Sequence, residues 1–229
     1  SLLDRRPGVL LQKSKSEEQD EALAALQKLA AELAVWLLIG SLPIRVAPEK
    51  CANRRFLISP QGKIEARYDK IHMFDVELSD EESYKESNNY VPGDKAVIAA
   101  LPQTRLGLTI CYDVRFPQLY RALAKAGAKI LTVPSDFTKT TGEAHWHVLL
   151  RARAIENGCF VIAPAQGGVH ADGRETFGHS LIVDPWGTII AEGGLTSDLV
   201  QTTLDLSEVE KARQRVPSLQ HDHVFERPI

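Results

Sequence analysis

The chain has 229 residues, of which 44% are hydrophobic and 25% are charged, a composition that is typical of a globular protein and excludes general disorder. Its 27 basic and 30 acidic residues leave a formal charge of −3, which argues against a nucleic-acid binder that depends on bulk positive charge. The longest apolar run, 33–39, is too short to cross a membrane, and we expect no secretory signal. Three widely spaced cysteines do not form a disulfide framework and favour a reducing, cytoplasmic environment.

The first third of the chain combines one helix with several short strands. Apolar spacing and a capping box at Ser16 predict a helix over 16–36, and a short buried strand follows at 35–40. A turn that contains proline and glycine separates predicted strands at 55–59 and 63–68. The polar stretch 75–93 is too long for a passive connector, so we expect a functional loop there.

The rest of the chain alternates strands with two long helices. Pro117 begins a helix that stops at Gly127, and Thr141 is predicted to cap a second helix over 142–157. The remaining predicted elements are a helix at 207–215 and strands at 96–100, 105–110, 129–133, 159–163, 181–183, 188–191 and 200–204. Hairpins among these strands favour mixed sheets with helices on one face of each. We therefore predict one α/β domain over 1–229, built as a four-layer α-β-β-α sandwich.

Cys111 is the first candidate for a chemical role. An apolar strand ends at this residue and a helix that begins with proline follows within a few positions. A thiol at such a turn lies at a sheet edge and near a helix amino end, where the thiol pKa falls. From position alone, a nucleophile and a core cysteine remain equally open. Lys70 and Glu86, taken singly, are typical of solvated surface charges.

Several motifs occur in one order along the chain: Tyr68-Asp69-Lys70-Ile71-His72, Glu86-Ser87-Asn88, Gly107 through Pro117, His145-Trp146, Arg151 through Asn157, Gly178-His179-Ser180 and Asp184-Pro185-Trp186-Gly187. Together they resemble the carbon–nitrogen hydrolase (nitrilase) superfamily over nearly the whole chain. The resemblance implies an α-β-β-α fold and a catalytic set of glutamate, lysine and cysteine.

By this resemblance, Cys111 is the nucleophile, Lys70 is the catalytic lysine and Glu86 is a further glutamate that supports it. Lys70 and the backbone N–H of Tyr112 would form the oxyanion site. The implied reaction is hydrolysis of a linear amide through a thioester, with release of ammonia and with no metal or organic cofactor.

The similarity is greatest to the amidase branch that contains deaminated-glutathione amidase and omega-amidase. It implies a small carboxylate-bearing amide such as deaminated glutathione as substrate, no nucleic-acid or membrane partner, and a homodimer or higher homo-oligomer. The expected substrate contacts are Tyr112, Arg115, Phe137, His145 and Trp146. An omega-amidase, an N-carbamoyl amino-acid hydrolase and a catalytically silent binding module remain alternatives.

One part of the family pattern has no match in this sequence. The family's catalytic glutamate lies in a Pro-Glu motif at the end of an early strand, whereas Pro48-Glu49 follows the first predicted helix. We therefore expect the first strand and the general base to be missing from this sequence. No metal site is expected, because His145 and His147 point to different sides of a helix and His221-Asp222-His223 is typical of a solvated tail.

Overall fold

The computed structural model describes residues 8–79, 82–171, 173–196 and 198–226. The helices are α1 (Val9–Lys13), α2 (Glu21–Leu33), α3 (Pro117–Lys125), α4 (Lys139–Asn157) and α5 (Ser207–Arg215). The strands are β1 (Leu37–Leu38), β2 (Leu42–Ala47), β3 (Lys50–Ile58), β4 (Ile64–Asp69), β5 (Asp75–Glu77), β6 (Ser83–Lys85), β7 (Tyr90–Val91), β8 (Val97–Ala100), β9 (Arg105–Leu108), β10 (Ile130–Thr132), β11 (Phe160–Ala163), β12 (Gly167–Val169), β13 (Glu175–Phe177), β14 (Leu181–Val183) and β15 (Ile189–Glu192).

Two mixed sheets form the centre of the molecule. In the first sheet, β3 pairs with β1, β2 and β4 in antiparallel fashion and with β7 in parallel. The second sheet has the order β15-β14-β11-β10-β9-β8, in which β9, β10 and β11 are parallel and the outer pairs are antiparallel. The parallel strands are joined through α3 and α4, as parallel connections require a crossover.

Side-chain alternation along the central strands produces the layers. In β3, Phe56 and Ile58 pack with α2, whereas Leu57 packs toward the second sheet. In β10, Ile130 belongs to the core between the sheets, whereas Leu131 packs with α3 and α4. The order is therefore helix, sheet, sheet, helix, which confirms the predicted α-β-β-α sandwich.

The start of the first long helix differs from the prediction. Glu17–Gln19 form a 3₁₀ turn, and the N-cap of α2 is Asp20, which accepts from Leu23 N at 2.8 Å. The capping box at Ser16 is therefore wrong. The physical reason is a long-range contact, because Glu17 is bound by the guanidinium groups of Arg54 and Arg67 from the first sheet.

Other local details also differ from the prediction. Helix α4 begins earlier than expected, because Thr138 is its N-cap and accepts from Thr141 N. Strand β2 was not predicted, and residues 200–204 form no strand. Within the described ranges, none of the helices is both long and apolar enough to cross a membrane.

Candidate active site

Cys111 stands just beyond strand β9, at the first position of a 3₁₀ turn over Cys111–Arg115. Its backbone is left-handed, with a φ of 49°, which is uncommon for a residue that carries a Cβ. Its N–H donates at 2.9 Å to the carbonyl of Pro134, which follows the neighbouring parallel strand β10. This backbone holds the half-buried thiol at the carboxyl edge of the second sheet, where ligands of parallel sheets bind.

The buried carboxylate of Asp113 connects this turn to the segment that carries Lys70. One carboxylate oxygen accepts from the Ile110 N–H at 2.9 Å and from the Tyr68 hydroxyl at 2.6 Å. The other accepts from the His72 N–H at 3.1 Å and lies 2.7 Å from the ring Nδ1 of the same histidine. Because these hydrogen bonds to a charged group are strong, the turn and the end of β4 are held in a fixed relation.

Lys70 and Glu86 form an ion pair inside the protein. Their side chains are 3% and 1% exposed, and Lys70 Nζ contacts Glu86 Oε2. Glu86 also accepts from Asn53 Nδ2 at 3.1 Å and from the Phe74 N–H at 2.7 Å. With three donors around one carboxylate, the ammonium group of Lys70 is held in one orientation.

One cavity of about 510 Å³ is lined by Cys111, Lys70 and Glu86. Its volume is in the range of small-molecule sites. Much of its remaining wall comes from loops that follow β1, β10 and β11, with the residues Gly40, Ser41, Pro134, Ser135, Asp136, Pro164, Ala165 and Gln166. The structure therefore brings together the three residues that the sequence left far apart.

The surroundings of Cys111 act on its acidity in opposite directions. Burial raises the pKa of the Cys111 thiol, whereas the positive charge of Lys70 and a hydrogen bond from the backbone of Asp136 lower it. The negative charges of Glu86 and Asp136 add to the rise. The raised pKa keeps the sulfur as a thiol at neutral pH, so its proton must be removed as it attacks a substrate.

Three of the expected substrate contacts lie beside Cys111. Tyr112 and Phe137 line a small recess together with Lys70 and Cys111. The guanidinium carbon of Arg115 lies 5.9 Å from the centre of the Tyr112 ring and 5.5 Å from that of Phe137. These three side chains form one continuous group next to the thiol.

The other two expected contacts are placed differently. His145 Nδ1 lies 3.3 Å from Arg115 Nη2, so this ring contacts the arginine, and it is not among the residues that line the cavity or the recess. Trp146 is fully buried and donates from Nε1 to the carbonyl of His179 at 2.8 Å. Its ring packs on Phe137 with a centroid separation of 5.0 Å. The structure thus places Trp146 in the core, as a support for Phe137.

Two residues of the site were not found from the sequence. Asn53 lies within β3 and carries no local motif, so only the fold reveals its bond to Glu86. Asp136 follows β10, and it accepts from Arg174 Nη1 at 2.9 Å and lies 3.4 Å from His170 Nε2. A signal existed for Asp136, because the carboxyl ends of adjacent parallel strands meet at one sheet edge.

Comparisons with known proteins agree with this fold. The sequence model of the family "Carbon-nitrogen hydrolase" matches residues 8–214. The deaminated glutathione amidase of Yersinia enterocolitica is 44% identical over 200 residues, which are 86% of this chain and 70% of that protein. The deaminated glutathione amidase of Homo sapiens is 42% identical over 199 residues, 85% of this chain and 61% of that protein.

Among solved structures, the C. elegans NitFhit protein superposes with a TM-score of 0.83 at 40% identity. The superposition covers 88% of this chain but only half of that protein. The chain belongs to the carbon-nitrogen hydrolase family, and it is an amidase, an enzyme that hydrolyses amide carbon–nitrogen bonds.

Proposed function

We propose that Cys111 attacks the carbonyl carbon of a small amide, so that a C–S bond forms and the thiol loses its proton. Lys70 Nζ and the Tyr112 N–H stabilise the negative oxygen that develops on the substrate. The thiol proton passes to the amide nitrogen, the carbon–nitrogen bond breaks and ammonia leaves; water then hydrolyses the thioester to a carboxylic acid and restores the thiol. The observation that carries this proposal is the shared cavity of Cys111, Lys70 and Glu86.

Glu86 acts on the reaction through Lys70. Its carboxylate holds the ammonium group against the cavity wall, while the Asn53 amide and the Phe74 N–H hold the carboxylate itself. The backbone N–H of Tyr112 donates to no acceptor within the part of the chain that the structure describes, so it is free for a substrate oxygen. A fixed cation and a free N–H are the kinds of donor that an oxyanion site uses.

We propose a carboxylate-bearing amide of the deaminated-glutathione type as substrate. The names of the relatives support this class, and so does the half-buried guanidinium of Arg115 beside the recess. Burial lowers the pKa of Arg115, and an anionic substrate group beside the guanidinium would favour its charged form. Tyr112 and Phe137 offer their rings to the apolar part of the substrate.

The test measures ammonia released from deaminated glutathione by the full-length protein, with an N-carbamoyl amino acid as the competing substrate. We expect Cys111→Ala to lose activity by many powers of ten, because no thioester can form without the sulfur. Mass spectrometry should detect the acyl group on the peptide that contains Cys111 in the active protein.

Cys159→Ala is the matched control, since Cys159 is a buried packing residue outside the cavity. Near-normal turnover of Cys111→Ala, or equal loss in Cys159→Ala, would contradict the assignment of the nucleophile. Faster hydrolysis of the N-carbamoyl compound would instead contradict the substrate class.

We also propose a homodimer or higher homo-oligomer in a reducing, cytoplasmic compartment. Helix α4 exposes Val148 and Ile155 by 67% and 54%, and Trp186 nearby is 55% exposed. Exposed apolar side chains that lie close together favour a protein–protein interface. All three cysteines are free. Light scattering of the full-length protein should give at least twice the chain mass, and a monodisperse monomer would refute the dimer.

A further inference from the structure

Outside the cavity, two histidines and one carboxylate converge from three separate elements. His147 lies on α4, His179 precedes β14, and Glu192 ends β15. His147 Nε2 is 3.0 Å and His179 Nδ1 is 2.9 Å from the same oxygen, Glu192 Oε1. The three possible ligand atoms all lie within 4.8 Å of one another.

The local structure holds this cluster in place. The backbone of His179 is left-handed, with a φ of 55°, and its N–H donates to Gly194 O at 3.1 Å. Its carbonyl accepts from Trp146 Nε1, and its ring stacks on Phe177 with a centroid separation of 4.4 Å. The His147 ring meets the same phenylalanine edge-on, at 5.9 Å. A side chain that stands at an unfavourable φ and stacks on a neighbouring ring is held in one orientation, as a binding site requires.

The chemistry of the cluster fits a metal ion. Two imidazole nitrogens and one carboxylate oxygen are a common donor set for zinc, which leaves a fourth position to water. Two ligand atoms at ordinary zinc distances lie about 3.3 Å apart in a tetrahedral site. The separations of His147 Nε2 and His179 Nδ1 from Glu192 Oε1, 3.0 and 2.9 Å, are a few tenths of an ångström shorter, and the two nitrogens lie within 4.8 Å of each other, so metal binding requires rotation of these side chains.

We propose that His147, His179 and Glu192 form a binding site for one divalent transition-metal ion, with zinc as the best fit. The ion would replace the protons that the histidines now share with the carboxylate. It would join α4 to the ends of β14 and β15, next to Ser180. Because the Ser180 side chain lines the catalytic cavity and accepts from Ala165 N at 3.0 Å, the ion would stiffen the cavity wall without taking part in the reaction.

The experiment titrates zinc into the chelator-treated full chain by calorimetry. The Cys111→Ser background is used, so that the catalytic thiol does not compete for the metal. We expect one zinc per chain and a higher melting temperature with zinc bound. Cobalt(II) in the same site should give the visible absorption of a tetrahedral ion.

Two variants and one control decide the result. Glu192→Gln, nearly identical in shape, and His147→Gln should each weaken zinc binding by at least about 100-fold. His221→Gln, in the tail, should bind zinc as the parent does. Circular dichroism and melting in chelator establish that each variant is folded. A parent chain that binds no zinc, or variants that bind it as tightly as the parent, would overturn the proposal.

Discussion

Removing either partner of the Lys70–Glu86 pair should destabilise the protein strongly. Lys70→Met deletes the ammonium group but keeps a side chain of similar length. It leaves the carboxylate of Glu86, which is 1% exposed, without a counter-charge. An unpaired charge in this position has lost its water and has nothing of opposite sign to replace it.

The size of the effect follows from the remaining contacts of Glu86. Removal of one partner from a buried ion pair costs about 3–5 kcal/mol. Two donors remain, Asn53 Nδ2 at 3.1 Å and the Phe74 N–H at 2.7 Å, and they still solvate the carboxylate. We therefore expect a loss of about 3 kcal/mol in the free energy of unfolding. For a chain of 229 residues this corresponds to a fall of about 6–12 °C in melting temperature.

The double variant Lys70→Met/Glu86→Gln should recover much of this loss, because it buries no charge. Within the described residues, Asn53 Oδ1 is buried and has no hydrogen-bond partner. If the Asn53 amide turns by half a rotation, this oxygen can accept from the new amide at position 86. We expect a coupling energy of about 2–3 kcal/mol between the two sites.

Urea unfolding followed by far-UV circular dichroism measures these differences, provided that the urea dependence is the same in all variants. Lys28→Met is the control, because Lys28 pairs with Glu32 on the surface with side-chain exposures of 78% and 57%. Its expected effect is at most about 0.5 kcal/mol. If Lys70→Met costs no more than the control, or if the double variant equals the sum of the singles, the reasoning about a buried charge is refuted.

Two further predictions concern the thiol and the packing of α4. Because burial raises the pKa of Cys111, the rate of its alkylation by iodoacetamide should be half-maximal at a higher pH in the folded protein than in the urea-unfolded chain. Peptide mass spectrometry measures this rate, and a lower midpoint pH in the folded protein would contradict the prediction. Gly142→Ala should cost about 1–2 kcal/mol by urea unfolding, because the added Cβ would lie 2.2 Å from Phe177 Cβ, a clash that outweighs the gain in helix propensity. Gly194→Ala meets nothing within 4 Å and should stay close to the parent.

Local signals predicted the elements whose ends are fixed by their own residues. Helix α3 has Pro117 in its first turn and Gly127, with a φ of 100°, after its end, and these two residues predicted where the helix begins and ends. The predicted start of α2 was wrong because Glu17 is bound by Arg54 and Arg67. These arginines are too far along the chain for a local sequence pattern to reveal the contact. Strand β2 was missed because Pro43 and Arg45 interrupt its apolar pattern.

Local sequence signals likewise predicted only part of the candidate site. The strand that ends at Cys111 marked a possible nucleophile, but it left a core cysteine equally open. Lys70 and Glu86 are ordinary charges in the sequence, and only the resemblance to a family joined them to the thiol. Geometry adds what the sequence lacks, since the pair is buried and in the same cavity.

Arg55 shows how the two sheets are kept in register around this cavity. It lies on β3 and is 1% exposed, and its Nη1 donates to Thr109 O at 2.8 Å and to Thr132 Oγ1 at 2.9 Å. Its Nη2 donates to Ile39 O at 3.3 Å, in the cavity wall. Burial lowers the pKa of Arg55 to about 9, and within the described ranges no carboxylate pairs with it.

A buried cation without an ion-pair partner is a costly way to gain stability, because carbonyl oxygens replace only part of its hydration. Its planar fork, however, fixes three acceptors at once, which an apolar side chain or a lysine cannot do. One of these acceptors, Thr109, is two residues before Cys111. We therefore interpret Arg55 as the residue that fixes the turn of Cys111 against the first sheet. On that sheet, Asn53 binds Glu86 and strand β4 leads into Lys70.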